Sequence, residues 1–320
     1  MKKLTNRLHS RRLAYNLQQV RALMIPDAFY RARCRSLLDR RYENQAQLDF
    51  RIAYCNRINQ PFRPDQHSVS IAEFNTIRHY LQHRQTTYYC DLQAVLRYFD
   101  RSKRFHYLFG DIRDVPPVPT LLKSRPVGED NQNSVILKLN KIRHFNFFRD
   151  RKRFQNKAGK LVWRGTVHQE NRRAFLEKFH DHPLCDVGQV NRSEDHPEWV
   201  KPFMPVAQQM EYQFILCLEG NDVASSLKWG MASHSLCVMT RPRYETWFME
   251  GRLQPGVHFV GVEDDYTDLE EKLDYYRRHT QEAGRIIENA HRFVAQFLDP
   301  AVERYVGLAV LDKYFRHMEG

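Results

Sequence analysis

The stretch from Glu211 to Thr240, EYQFILCLEGNDVASSLKWGMASHSLCVMT, constrains the fold of this chain more than any other. An apolar run from Phe214 to Leu218 ends in a Glu-Gly-Asn turn. Ala224-Ser225-Ser226 then opens a predicted helix carrying Lys228, and Ser235 to Met239 reads as a second strand. Strand, polar turn, helix and strand make a βαβ unit, whose first turn offers backbone N–H groups and a cation suited to a phosphate. An ordinary crossover closed by a Gly turn satisfies the same pattern.

A chain of 320 residues accommodates two domains. Its 42% hydrophobic residues suffice for real cores and exclude a disordered chain. No window approaches ~18 consecutive apolar residues, so no spanning helix is expected. The N-terminus, MKKLTNRLHSRRLAYN, has no continuous apolar region, and a cytosolic location is expected. Cys34, Cys55, Cys90, Cys185, Cys217 and Cys237 are dispersed without zinc-site spacing and read as reduced thiols.

The net charge of +12 points to anionic partners. Eleven Lys and Arg residues fall between Met1 and Tyr42 against Asp27 and Asp39, with Leu4, Leu8, Leu13, Leu17, Val20 and Met24 at helical spacing. Such a helix can rest on an anionic membrane face, or pack its apolar stripe on the protein's own core. No recognised nucleic-acid-binding motif accompanies the charge, so no nucleic-acid partner is expected.

Residues 1 to about 100 read as mainly helical, over 4–24, 28–58, 71–84 and 90–99, with Pro61 and Pro64 between the second and third segments. Tyr107-Leu108-Phe109 leads into GDIRDVPPVPTLLKSRPV, a stiff, exposed type of loop suited to site residues. The basic stretch RDRKRFQNKAGK marks the domain boundary. The expected division is 1–158 as an N-terminal domain with a basic helical arm, 159–298 as a second domain, and 299–320 as a C-terminal helix returning to the first domain. Strands alternating with helices after Leu161 imply a parallel, Rossmann-like sheet.

Four elements of the second half could converge on a ligand: Trp163-Arg164-Gly165-Thr166, Glu219 to Lys228, Arg241-Pro242-Arg243 and His258. Arg164, Lys228 and Arg172 could neutralise a diphosphate; Gly165 and Gly220 would let backbone approach it, and Ser225 and Ser226 could donate to it. Each is equally at home as a solvated charge or a cap. Glu263-Asp264-Asp265 is a poor metal-binding carboxylate pair, because acidic residues also favour the helix start they precede. Glu211 and Glu219 match a paired-glutamate spacing, but a strand between them separates the side chains by roughly 26 Å at ~3.3 Å per residue. In the first half, Asp111 and Asp114 on the Pro-bounded loop suit a general base, or an Asx turn and a pair with Arg113.

GDIRDVPPVPTLLKSRPV, LVWRG, EGNDVASSLKWGMASHSLCVM and GVHFVGV stand in an order that resembles glycosyltransferase family 90. That family includes the Rumi-like protein O-glucosyltransferases, the fungal capsule-associated (CAP10) xylosyltransferases and the bacterial lipopolysaccharide A proteins. The resemblance runs from about Phe105 to Phe297 and is greatest to the bacterial branch. It implies a GT-B fold, an α/β architecture of two Rossmann-like domains facing a cleft, here with a largely helical N-terminal region. It implies no cofactor and no essential metal. Asp114 falls on the catalytic base; Arg164, Gly165 and Thr166 fall on the diphosphate contact. Ala224, Ser225 and Lys228 fall on the Ala-Ser-x-x-basic element, where lysine replaces the arginine of the glucosyltransferase branch and lacks its bidentate fork.

The expected donor site is then Arg164, Gly165, Thr166, Gly220, Asn221, Ala224, Ser225, Ser226 and Lys228, with Asp111, Arg172, Glu219 and His258 as secondary candidates. The expected function is transfer of a hexose from a UDP-sugar, with inversion, to a lipopolysaccharide or lipooligosaccharide hydroxyl by a peripheral enzyme on the cytoplasmic face of the inner membrane. A protein O-glycosyltransferase and a non-catalytic lipid- or nucleic-acid-binding module are the alternatives.

Overall fold

The computed structural model describes residues 15, 25–76, 78–79 and 86–319. The expected basic helix over 4–24 lies outside the described residues except for Tyr15, as does part of the 71–84 segment. The chain divides into one unit of Met1–Arg143, Tyr244–Met249 and Phe297–Gly320, and another of His144–Arg243 and Glu250–Gln296. The principal division therefore falls at 143/144, where the sequence suggested 158/159, and Tyr244–Met249 is counted with the first unit.

Eleven strands are found among the described residues. The first five are β1 (Val69–Ser70), β2 (Arg104–Phe105), β3 (Thr120–Leu122), β4 (Ser124–Pro126) and β5 (Ser134–Ile136). Next come β6 (Ala158–Gly165), β7 (Cys185–Gln189), β8 (Tyr212–Leu216), β9 (Leu236–Met239), β10 (Tyr244–Thr246) and β11 (Val260–Gly261).

In the first unit the helix Pro300–His317 packs against Asp27–Leu38, Gln45–Cys55 and Thr86–Leu96. Asp299 caps it, accepting from the Ala301 and Val302 N–H groups, and Pro300 fits the first turn, where no N–H partner is needed. The single helix expected over 28–58 is two helices. The intervening Asp39–Asn44 has no apolar stripe to bury, and Tyr42 instead sets its ring 5.0 Å from that of Tyr305. Against the expected second Rossmann-like sheet, the named strands of this unit form pairs: β1 with β2 and β4 with β10 antiparallel, β3 with β5 parallel.

The β4–β10 pair is sealed by Arg125, fully buried, whose Nε–H donates to Glu245 Oε1 at 2.7 Å. Glu303 holds a second buried cluster, accepting from Arg51 at 2.5 Å, Lys138 at 2.6 Å and the Trp247 indole at 2.8 Å.

The second unit is built on a five-stranded parallel sheet in the order β11-β9-β8-β6-β7. Leu161, Val187, Phe214, Leu216, Leu236 and Val238 form its core, the near-continuous apolar runs that strands covered on both faces require. Glu170–Phe179 connects β6 to β7, and Leu227–Met231 connects β8 to β9. Thr280–Ala295 buries Ala283, Ile286, Ile287, Ala290, Phe293 and Val294, one apolar helical face. The strand order reverses between β6 and β8, and open α/β sheets bind ligands at the carboxyl ends of strands flanking such a point. Among the described residues, no helix is long and apolar enough to cross a membrane.

Candidate active site

At the carboxyl end of β6, Trp163 folds its ring back beneath Gly165 so closely that a Cβ there would lie 2.4 Å from the ring. An alanine at this position would have to push that ring aside. Arg172, on the helix that follows, lies 5.6 Å over the same indole and ties the ends of the two switch-point strands together. Its Nη1–H donates to the Thr166 carbonyl at 2.8 Å, its Nε–H to the Glu219 carbonyl at 3.0 Å and its Nη2–H to the Leu218 carbonyl at 3.3 Å. Gln169 adds a 2.9 Å bond to the side-chain oxygen of Asn221. Thr166, Arg172, Glu219, Gly220 and Asn221 are thus brought together at one edge. Gly220 packs against Arg172, whose Nη2 would be 2.9 Å from an added Cβ.

The remaining expected donor residues are more dispersed. The helix after the turn spans only Leu227–Met231, and Ser226 precedes it without a side-chain cap, so Ala224-Ser225-Ser226 is turn rather than helix. Ala224 is buried and Ser225 exposed, while the Ser226 hydroxyl turns back to the Leu216 carbonyl at 3.4 Å. Lys228 is fully buried and donates to Glu250 at 2.6 Å, with Phe145 5.4 Å from its ammonium. Arg164, also buried, directs its guanidinium along the sheet to Asp186 Oδ1 at 2.7 Å and to the carbonyls of Trp163 and Asp186.

Burial opposes the charge of Asp186, but hydrogen bonds from Tyr212 and Arg164 and the charge of Arg164 outweigh it and lower its pKa to about 2. His258 precedes β11, on the side where that strand begins. Its Nδ1 accepts from the Gln254 N–H at 3.1 Å, and burial lowers its pKa below 6.5.

The two glutamates eight residues apart stand at opposite ends of β8. Glu211 pairs with Lys152 at 2.6 Å before the strand, and Glu219 pairs with Arg243 after it. Glu250 and Asp186, the partners of Lys228 and Arg164, were not singled out from sequence. Each is a lone carboxylate within an apolar run, Trp247-Phe248-Met249-Glu250 and Cys185-Asp186-Val187, which is the available sign of a buried ion pair.

In the first unit the Asp114 loop is clamped on both sides. The Ile112 N–H donates to the Ser124 hydroxyl at 3.1 Å, and Asn133 donates to the Pro116 and Pro117 carbonyls at 3.1 and 2.9 Å. Asp111 accepts from the buried Lys123 at 2.5 Å. Asp114 is exposed and makes no hydrogen bond or ion pair with the described residues. A fixed backbone carrying a solvated carboxylate is suited to accepting a proton from a hydroxyl. No group of three or more His, Cys, Asp or Glu side chains suited to a metal ion occurs among the described residues.

Residues 135–319, more than half the chain, match the model of glycosyl transferase family 90. The chain belongs to glycosyl transferase family 90. Family 90 membership makes it a glycosyltransferase, and the matched segment contains the whole parallel sheet, with Asp114 lying before it. The O-glucosyltransferase LpsA of Dichelobacter nodosus is 45% identical over 277 residues, covering 87% of this chain and 85% of that protein. Shorter similarities join this family 90 chain to uncharacterized protein 035R of Invertebrate iridescent virus 3, 34% identical over 29% of the chain and 8% of the viral protein. Uncharacterized protein 027R of Frog virus 3 is 26% identical over 34% of the chain and 12% of its own length.

Proposed function

We propose that this chain transfers a hexose from a UDP-sugar to a hydroxyl group of a lipopolysaccharide or lipooligosaccharide core, with inversion and without an essential metal. The observation that carries the donor half is the edge between β6 and β8, where Arg172 gathers Thr166 and the Glu219-Gly220-Asn221 turn at the strand-order reversal. A diphosphate is the ligand chemistry such an edge favours. Ser225, exposed beyond the turn, would donate to it, and Gly165 and Gly220 keep the backbone close. Lys228 would contribute its charge on exchanging Glu250 for phosphate, and Arg164 would act from behind through the end of β6.

Asp114 would take the proton of the acceptor hydroxyl as that oxygen attacks the anomeric carbon and UDP departs. The reading extends to work at the cytoplasmic face of the inner membrane. Glucose is the first hexose to test, from the name of the Dichelobacter relative. UDP release should be measured for a panel of UDP-sugars with truncated lipooligosaccharide acceptors. Acceptor-dependent release from one of them is expected; release from none would overturn the reading.

A further inference from the structure

We infer that Arg243 is a diphosphate-binding residue of the donor site and that Glu219 is its positioning residue. The inference rests on the donor edge proposed above and names the cation that edge presents. β8 and β9 are parallel neighbours, so the chain leaves both at the same side of the sheet. Glu219 lies three residues past the end of β8 and Arg243 four past the end of β9.

One carboxylate joins the two exits. Glu219 Oε1 accepts the Arg243 backbone N–H and Oε2 accepts its Nε–H, both at 3.0 Å. Glu219 is only 6% exposed, whereas the Arg243 side chain is 63% exposed. The arginine is therefore pinned at its backbone and at the root of its guanidinium while its side chain remains largely exposed. Preorganisation of this kind lowers the entropy lost when a long side chain grips an anion.

The neighbouring cations are differently placed. Arg164 and Lys228 are buried against Asp186 and Glu250, and Arg172 is spent on three carbonyls. Arg241, two residues away, is exposed but makes no hydrogen bond or ion pair with the described residues, so nothing in them aims it. Both loop arginines are exposed, and Glu219 orients Arg243. A planar fork held in this way matches the paired oxygens of a diphosphate.

The test is calorimetric titration of the full chain with UDP and, separately, with uridine, which lacks the phosphates. Arg243→Ala is expected to weaken UDP at least tenfold and leave uridine binding unchanged. Arg243→Lys should recover part of the loss, Glu219→Gln should fall between wild type and Arg243→Ala, and Arg241→Ala should cost less than Arg243→Ala. Wild-type UDP affinity in Arg243→Ala, or equal loss of UDP and uridine, would overturn the assignment of Arg243. Equal effects of Arg241→Ala and Arg243→Ala would overturn the positioning role of Glu219. A wild-type chain that binds neither UDP nor uridine would remove the donor edge itself, and with it the inference.

Discussion

The Lys228 ammonium sits 2.6 Å from Glu250 with both side chains almost wholly out of water. Breaking such a pair leaves a buried charge without its counter-ion and costs about 3–5 kcal/mol, whereas replacing both partners with apolar groups is often close to neutral. Glu250→Gln and Lys228→Ala should each lower unfolding stability by that order. Lys228→Met combined with Glu250→Leu should recover most of it. Denaturant unfolding distinguishes the outcomes, and equal losses in single and double variants would mean that the pair is not the source. The restored double variant then reports what Lys228 contributes to UDP affinity, free of the folding defect.

Asp114 presents the opposite situation. Because it is exposed and bonded to none of the described residues, Asp114→Asn should change stability by no more than about 0.5 kcal/mol. Loss of a general base should lower turnover by about 10²–10⁴-fold. Sugar transfer and thermal unfolding are to be measured on the same preparation. Wild-type turnover would remove Asp114 from the chemistry; a large drop in melting temperature would make it a structural residue.

Gly165 is held to its identity by Trp163. An alanine methyl would meet the indole at 2.4 Å, and forcing that ring aside should cost about 1–3 kcal/mol. Since Arg172 lies over the same indole, Gly165→Ala should also weaken UDP binding. A variant as stable as wild type would show that the ring shifts freely and that the close approach is incidental.

Acid should find Asp186. Its folded pKa of about 2 lies below its ordinary 3.8, so its contribution to stability is complete above 3.8 and is lost as pH falls through about 2. Asp186→Asn should therefore flatten the stability profile of the second unit between those values. An unaltered acid limb would show that Tyr212 and Arg164 do not hold the carboxylate in its charged form.

Much of the second unit could be read from residue order. The apolar run Phe214–Leu218 marked a strand, and β8 spans Tyr212–Leu216. The gathering of Gly220 with Thr166 followed from parallel strands ending at one edge. What composition could not supply was the partner of each cation. Arg164 and Lys228 have the residue types of a phosphate site, yet carboxylates 22 residues further along the chain in both cases take them up. Such pairings depend on tertiary distance, and no local periodicity encodes them. The short helix Leu227–Met231 fell below the length at which periodicity is informative.

Glu303 also sets an order of events for a chain made from its N-terminus. Arg51, enclosed in the finished protein, meets its carboxylate partner 252 residues later, and Lys138 and Trp247 converge on that same side chain. The segment Phe297–Gly320 belongs with residues before Arg143, while the parallel-sheet unit is contained within the intervening chain. During synthesis at about 5–20 residues per second the nested unit can close on itself first. The surrounding unit is complete only once the helix Pro300–His317 has been made, so Arg51 and Lys138 gain their shared carboxylate last.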